Sequence, residues 1–187
     1  MSLIEPLQTV RDFRRQPTEP LWVVLLLVVM GTMSGCTGYR PLADFVARQQ
    51  TALLPLLALP RQRLPSLSTR RQIMVRVDVE SFTCAFNAWA QVTFAPAVAE
   101  QVAMDGKRIK ASVSDYDQPY QAFVSVVSAF SVAQGVVVGL ETMRHQQTSD
   151  MQTVEVLLAG LQLKGVCFSL DALHTQKNSG AKHREWA

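Results

Sequence analysis

The sequence predicts an α/β protein of the α+β kind, in which an all-helical N-terminal domain is followed by secondary structure in the order β-β-β-α-β. Up to residue 93, apolar residues recur with helical spacing or fill a whole segment. From residue 101 onward they form short runs rich in β-branched residues, which favour strands. Hydrophobic residues make up 48% of the 187 residues, which is ample for a core and argues against a disordered chain.

Four helices are predicted in the N-terminal domain. One segment is apolar on every side, which indicates a helix at the centre of its domain. Ser66 or Ser68 is placed to cap the third helix and Asp78 the fourth, because short polar side chains accept hydrogen bonds from the free amides of a first turn. The predicted helices cover residues 21–33, which is the apolar segment, 41–56, 66–77 and 79–92.

Three strands, a helix and a fourth strand are predicted after a linker at 94–100. A turn signal at 133–135 predicts that the first three strands form an antiparallel meander. Because the last strand follows a helical crossover, we expect it to run parallel to an earlier strand and beside it. Residues 178–187 lack apolar periodicity and are predicted to be a disordered tail. The predicted strands cover 102–113, 122–132, 135–143 and 165–170, and the helix covers 149–161, with Ser149 and Gln152 as its capping box.

The basic residues are concentrated at the front of the chain. Residues 1–80 contain ten arginines and no lysine against six Asp/Glu, whereas residues 81–187 contain eight Lys/Arg against nine Asp/Glu. A basic front favours a segment that binds a polyanion. A helical bundle with solvated arginines fits the same pattern. The arginines that would contact DNA phosphates, in a helix-turn-helix-like arrangement, are Arg61, Arg63, Arg70 and Arg71, with Arg76 close by.

The apolar segment has a second interpretation. Arginines precede it and MSGC at 33–36 follows it, a pattern typical of a secretory signal with a lipoprotein cleavage box at Cys36. About 20 apolar residues are needed to span a membrane, so a transmembrane helix is not expected. A buried helix of a cytosolic domain is the alternative. The cysteines Cys36, Cys84 and Cys167 lack zinc-ligand spacing and fit reduced thiols.

Two carboxylates stand out by their position. Asp105 lies in the first predicted strand and Asp171 at the C-terminal end of the fourth. If these strands are neighbours, the two carboxylates lie close together and repel each other unless a cation lies between them. Mg²⁺ prefers carboxylate oxygens, and a pair of such ions supports phosphodiester transfer.

Each of these residues also has a simpler interpretation. Asp105 with Gly106 is a hairpin-turn signal, and Asp171 is placed to cap a following helix. Lys107, beside Asp105, either contacts a phosphate backbone or lies on a solvated strand face. The sequence contains no phosphate-binding loop and no nucleophile elbow, so neither a P-loop nucleotidase nor an α/β-hydrolase is indicated.

Motifs along most of the chain resemble the DDE transposases of insertion sequences, in the group that includes the H-repeat-associated proteins. The two strongest are DGK at 105–107 and DALHTQK at 171–177. The similarity runs from residue 3 to residue 177. The other matching pieces are DFRR at 12–15, the apolar segment at 21–30, SGCTGYRPLADF at 34–45, LPSLST at 64–69, AMDGKRIKAS at 103–112, VSAFS at 127–131 and LKGVCFSL at 163–170.

The resemblance implies a fold, a site and a location. It implies a helical domain over residues 1–93 and a ribonuclease-H-like catalytic domain over 101–177, with Asp105 and Asp171 as the first and second catalytic acids. It also implies Mg²⁺ as cofactor and the DNA ends of a mobile element as partner. The protein would be cytoplasmic and not membrane-bound, and Cys36 would carry no lipid.

The chain departs from the family pattern at two places. QTSD at 147–150 stands where the family has Lys-Ser-Asn-Glu, so a basic residue is missing. The similarity stops at Lys177, before the glutamate that is the third catalytic acid of the family, and Glu185 lies in no comparable context. The resemblance therefore implies an incomplete catalytic domain and an inactive fragment, since losing one charge-stabilising group costs roughly 10² to 10³ in rate. Residues 178–187 would then be out-of-frame sequence.

The sequence is compatible with three functions. The first is an N-terminal fragment of a DDE transposase. The second is a residual DNA-binding module, which forms a dimer or associates with an intact transposase. The third is a lipoprotein anchored at Cys36. The spread of matching motifs over the chain favours the first.

Overall fold

The structure is a computed structural model that describes residues 2–59, 61–114, 122–144, 150–161 and 163–170. Over these residues the chain is a mixed α/β protein with six helices and one four-stranded mixed sheet. It divides into two compact units, which we call the helical unit (residues 2–85) and the sheet unit (from Phe86 onward). The predictions for Ser149, for Asp171 and for the tail at 178–187 lie outside the described residues.

The four predicted helices of the N-terminal part are confirmed, and a short helix precedes them. The sequence analysis missed this first helix because Pro6 resembles a helix break. A proline in a first turn costs little, since the amide it lacks has no partner within the helix. For the same reason the second predicted helix begins two residues before Pro41. The bounds are α1 Ile4–Thr9, α2 Leu21–Met33, α3 Tyr39–Leu57, α4 Leu67–Arg76 and α5 Val79–Thr93.

The predicted helix caps are present. The Ser66 Oγ atom accepts a hydrogen bond of 3.2 Å from the amide of Thr69, at the start of α4. An Asp78 carboxylate oxygen accepts one of 3.1 Å from the amide of Ser81, at the start of α5. Each side chain satisfies an amide that the helix itself cannot, which fixes where these two helices begin.

Helix α2 is the centre of the helical unit. Val23 and Leu27 are fully buried in one apolar cluster, which they share with residues of α3. Leu21, Val24 and Leu25 are buried in a second cluster with residues of α1 and α4. A helix with apolar neighbours on both sides has no polar face to present to water. The interpretation of this segment as a buried helix is therefore confirmed.

The sheet unit contains four strands in the order β3-β2-β1-β4. Strand β2 pairs antiparallel with both β1 and β3, which confirms the predicted meander. The turn after β2 is closed by a 2.9 Å hydrogen bond from the Gly135 amide to the Ser131 carbonyl, with Gly135 at φ +70°. The bounds are β1 Gln101–Ser114, β2 Ala122–Ser131, β3 Val136–Arg144, α6 Asp150–Leu161 and β4 Cys167–Leu170.

One face of the sheet packs against α6. Val102 and Met104 of β1 are buried there, together with Val127 and Ala129 of β2. The buried residues of α6 on this face are Val154, Leu157, Leu158 and Leu161. Because side chains alternate between the two faces of a strand, the residues between these buried positions lie on the opposite face. Asp105, the residue after Met104, lies on that face by the same alternation.

Candidate functional site

Asp105 lies within β1 and is directly opposite Ser128 of β2. The alternative interpretation, in which Asp105 and Gly106 form a hairpin turn, is therefore wrong. The Asp-Gly pair resembles a turn signal, but both residues take part in the ladder with β2, and β-pairing with a long partner strand overrides a local turn preference.

The side chains around Asp105 form a polar patch on the face opposite α6. Asp105 and Lys107 are two residues apart, so they share this face, and both are exposed. Ser128 also lies on it, since directly opposed residues of an antiparallel pair point to the same side. The sequence analysis missed Ser128, because its position opposite Asp105 depends on the β1–β2 register.

Strand β4 is the parallel neighbour of β1, which confirms the predicted parallel pairing with an earlier strand. The register places Val102 beside Phe168 and Met104 beside Leu170, which is the last described residue of β4. A 3.1 Å hydrogen bond from the Gln101 side-chain amide to the Ser169 hydroxyl links the same two strands. The residue that follows Met104 in the sequence is Asp105, and the residue that follows Leu170 is Asp171, which lies outside the described residues.

The Asp105 patch offers one carboxylate, the type of ligand that hard divalent cations prefer. The Asp105 carboxylate forms no hydrogen bond or ion pair with any other described residue, so its oxygens are free to bind a ligand. Within the described ranges, no group of three His, Cys, Asp or Glu side chains is placed to hold a metal ion. Asp105 therefore needs a second carboxylate from outside these ranges to form such a site.

Arg61 and Arg63 lie in a well-anchored connection between α3 and α4. Both arginines are exposed, whereas Leu59 and Leu64 on either side are 6% exposed and belong to the helical core. The connection covers residues 58–66, which is longer than the three or four residues of a helix-turn-helix turn. That part of the sequence interpretation is wrong, but the loop still presents two guanidinium groups to solvent.

Arg70 differs from the other arginines of this stretch. It is 3% exposed, and its Nη1 atom donates a hydrogen bond to the carbonyl of Pro65. Burial lowers the pKa of Arg70, and its Nε atom has no hydrogen-bond partner. This burial argues against contact with a phosphate and indicates that Arg70 holds the loop before α4 instead. Arg71, the next residue, is exposed.

Cys36 follows α2 and is half-buried. The helix before it packs on both apolar clusters of the helical unit, as described above. None of the helices in the described ranges combines the length and hydropathy needed to span a bilayer. No observation on these residues supports lipid attachment at Cys36.

Comparison with known proteins finds relatives among the transposases. The family model described as DDE_Tnp_1-associated matches residues 4–90. "Putative transposase YncI" of Escherichia coli O157:H7 is 25% identical over 186 residues, which cover 98% of this chain and 47% of that protein. The protein of the same name from Escherichia coli strain K12 is 25% identical over 98% of this chain and 73% of its own length.

A third relative, "H repeat-associated putative transposase YhhI" of Escherichia coli strain K12, is 24% identical over 97% of this chain and 47% of its own length. The chain is similar to DDE-class transposases over nearly its whole length, at modest identity. The resemblance found in the motifs is thereby confirmed. No solved structure matches this chain. The chain spans about half the length of two of these relatives.

Proposed function

We propose that this chain is part of the machinery that cuts and transfers DNA strands in transposition, with Asp105 and Asp171 as two of the acids that hold divalent metal. One observation carries the proposal: β1 and β4 are parallel neighbours, with Met104 beside Leu170, one residue before each acid. The order β3-β2-β1-β4 and the crossover through α6 also support a ribonuclease-H-like catalytic domain.

The proposed roles follow from the chemistry of these side chains. Two adjacent carboxylates repel each other and are stabilised by a cation between them, so Asp105 and Asp171 bind and orient it. Bound Mg²⁺ supplies Lewis-acid stabilisation of phosphodiester transfer. Lys107, exposed on the same face as Asp105, donates to a phosphate oxygen of the DNA strand and holds it beside the acids.

Metal binding by the 187-residue protein tests this proposal. Mn²⁺ affinity is measured by calorimetry on the wild type and on Asp105→Asn and Asp171→Asn. We expect each substitution to lower the affinity by about tenfold or more, because even loss of an outer-sphere partner typically costs 10- to 100-fold. Asp44→Asn, which removes an exposed acid from α3, is the matched control and should change nothing. Equal affinity in all four proteins would remove the proposed site.

A second function, DNA binding by the helical unit, is favoured by its exposed arginines. Arg61, Arg63 and Arg71 form no ion pair within the part of the chain that the structure describes. Leu59 and Leu64 anchor the loop that carries the first two, so little chain entropy is lost when it binds. Arg70 is left out of the proposed contact set. Association with a second copy or with a complete transposase stays a prediction.

The salt dependence of binding to a DNA duplex tests this second function. Each phosphate contact that is lost reduces the slope of log K against log salt by about 1. Arg61→Gln/Arg63→Gln should therefore reduce the slope of the wild type by about 2. A wild-type protein without affinity for DNA at low salt would exclude the DNA-binding function.

A further inference from the structure

Two basic stretches that are about sixty residues apart in the sequence meet in the helical unit. The Arg76 guanidinium lies 4.8 Å from the centre of the Phe13 ring, which is a cation–π contact. The amide of Arg11 donates a 3.0 Å hydrogen bond to the Ser81 hydroxyl at the start of α5. Residues 11–15 are thereby held against the C-terminal end of α4.

The acid within this segment does not cancel its exposed charge. Asp12 accepts hydrogen bonds of 2.9 Å and 2.7 Å from the Arg14 guanidinium, in a bidentate ion pair. The Arg14 hydrogen bonds lower the pKa of Asp12, which keeps the pair ionised. Arg14 also donates to the Glu19 carbonyl, at 2.9 Å, and so fixes the segment. Asp12 and Arg14 neutralise each other, and Arg11 and Arg15 form no ion pair with any residue that the structure describes.

The remaining charges near this point are mostly positive. Arg11 and Arg15 of the segment are exposed, as are Arg71 and Arg76 of α4, and α4 contains no acidic residue. Two acids follow α4 in the sequence. Asp78 is engaged in capping α5, and Glu80 is exposed. Within residues 11–19 and 67–80, four exposed guanidinium groups therefore stand against one exposed acid, Glu80, since Glu19 is only 6% exposed and Asp78 is half-buried.

We propose that residues 11–15 and the exposed side of α4 form one composite basic surface that binds the sugar–phosphate backbone of DNA. This inference rests on the proposed DNA binding of the helical unit and adds Arg11 and Arg15 to its contacts. Guanidinium groups pair with phosphate oxygens through two parallel hydrogen bonds. Because Phe13 and Arg14 fix the backbone of the segment, Arg11 and Arg15 are held beside α4 before DNA arrives.

The test uses the full chain and a fluorescent 25-base-pair duplex over a salt series. Arg11→Gln/Arg15→Gln should reduce the slope of log K against log salt by about 2 and weaken binding several-fold at low salt. The matched control is Arg40→Gln/Arg48→Gln, which removes the same charge from exposed positions on α3 and should leave the slope unchanged. Phe13→Leu keeps every charge but loses the ring under Arg76, and should weaken binding while helicity is retained.

The outcomes separate the two proposals. If the wild type does not bind the duplex at low salt, the DNA-binding function itself fails. If Arg61→Gln/Arg63→Gln reduces the slope but Arg11→Gln/Arg15→Gln behaves like the α3 control, only the composite surface is refuted. Binding to phosphatidylserine vesicles with the same dependence on Arg11 and Arg15, and none to the duplex, would assign the surface to lipid and overturn the inference.

Discussion

Asp105 and Arg70 are charged residues in opposite environments. Asp105 is exposed on a strand and forms no bond with the described residues around it, which leaves its carboxylate available to a cation. Arg70 is 3% exposed, and its guanidinium donates a hydrogen bond to the Pro65 carbonyl. A buried charge contributes to local structure at a desolvation cost, whereas an exposed and unpaired one is available for a ligand.

Arg70→Met separates a structural role from a DNA contact. We expect the free energy of unfolding to fall by about 1 kcal/mol, because the Pro65 carbonyl loses its donor while the apolar stem is kept. The salt slope of DNA binding should stay at the wild-type value. Arg71→Gln, on the adjacent exposed residue, should show the reverse, with unchanged stability and a slope reduced by about 1. A reduced slope in Arg70→Met would mean that Arg70 reaches a phosphate.

At the scale of elements, α5 protects an edge of the sheet. Strand β3 is at one end of the sheet, so one row of its backbone groups has no strand partner. The Asn87 side chain donates a 2.9 Å hydrogen bond to the Leu140 carbonyl and accepts one of 2.9 Å from the Leu140 amide. The side-chain amide thus pairs with β3 as a neighbouring strand would at that residue.

Asn87→Ala should destabilise the sheet unit through this edge. Removing the amide leaves two backbone groups of Leu140 unpaired, which we expect to lower the free energy of unfolding by about 1–3 kcal/mol in urea titrations. Gln91→Ala removes a single 3.3 Å hydrogen bond to the Gly160 carbonyl from the same helix and should cost less. If both substitutions lower the free energy of unfolding equally, the two hydrogen bonds of Asn87 contribute no more than the single one of Gln91.

Helix α6 packs tightly against β3 at Gly139. A Cβ atom at Gly139 would overlap the Leu161 side chain, whereas one at Gly160 would meet no atom within 4 Å. We expect Gly139→Ala to lower the free energy of unfolding by about 1–3 kcal/mol, through overpacking of the core. Gly160→Ala should be neutral or stabilising by up to about 1 kcal/mol, because alanine favours a helix. The free energy of unfolding of both variants is measured in urea. An unchanged value for Gly139→Ala would contradict the close packing of Gly139 against Leu161.

Elements with strong local signals could be predicted from the sequence. Ser66 and Asp78 mark the starts of α4 and α5 because capping is a local interaction. The contact of Phe13 with Arg76 and the position of Ser128 opposite Asp105 could not be predicted. They depend on tertiary packing and on strand register, which a local pattern does not determine.

At the scale of the whole chain, the basic residues are concentrated in the helical unit, whereas Asp105 lies in the sheet unit. The helical unit contains most of the arginines, with a composite surface built from residues 11–15 and α4. The sheet unit presents an acid at the edge of two parallel strands. The proposed DNA contacts and the proposed metal site thus fall in different units of the chain.

The proposed proximity of Asp105 and Asp171 can be tested by disulfide formation in a variant whose three native cysteines are replaced. Asp105→Cys/Asp171→Cys is oxidised in parallel with Ala103→Cys/Ser169→Cys, whose positions are register partners in β1 and β4. Lys107→Cys/Ser169→Cys, four residues out of register, is the negative control. We expect the 105–171 disulfide to form as fast as the 103–169 disulfide, since bridged Cα atoms lie about 4.4–6.8 Å apart. A 103–169 disulfide without a 105–171 disulfide would show that the two acids do not share a metal.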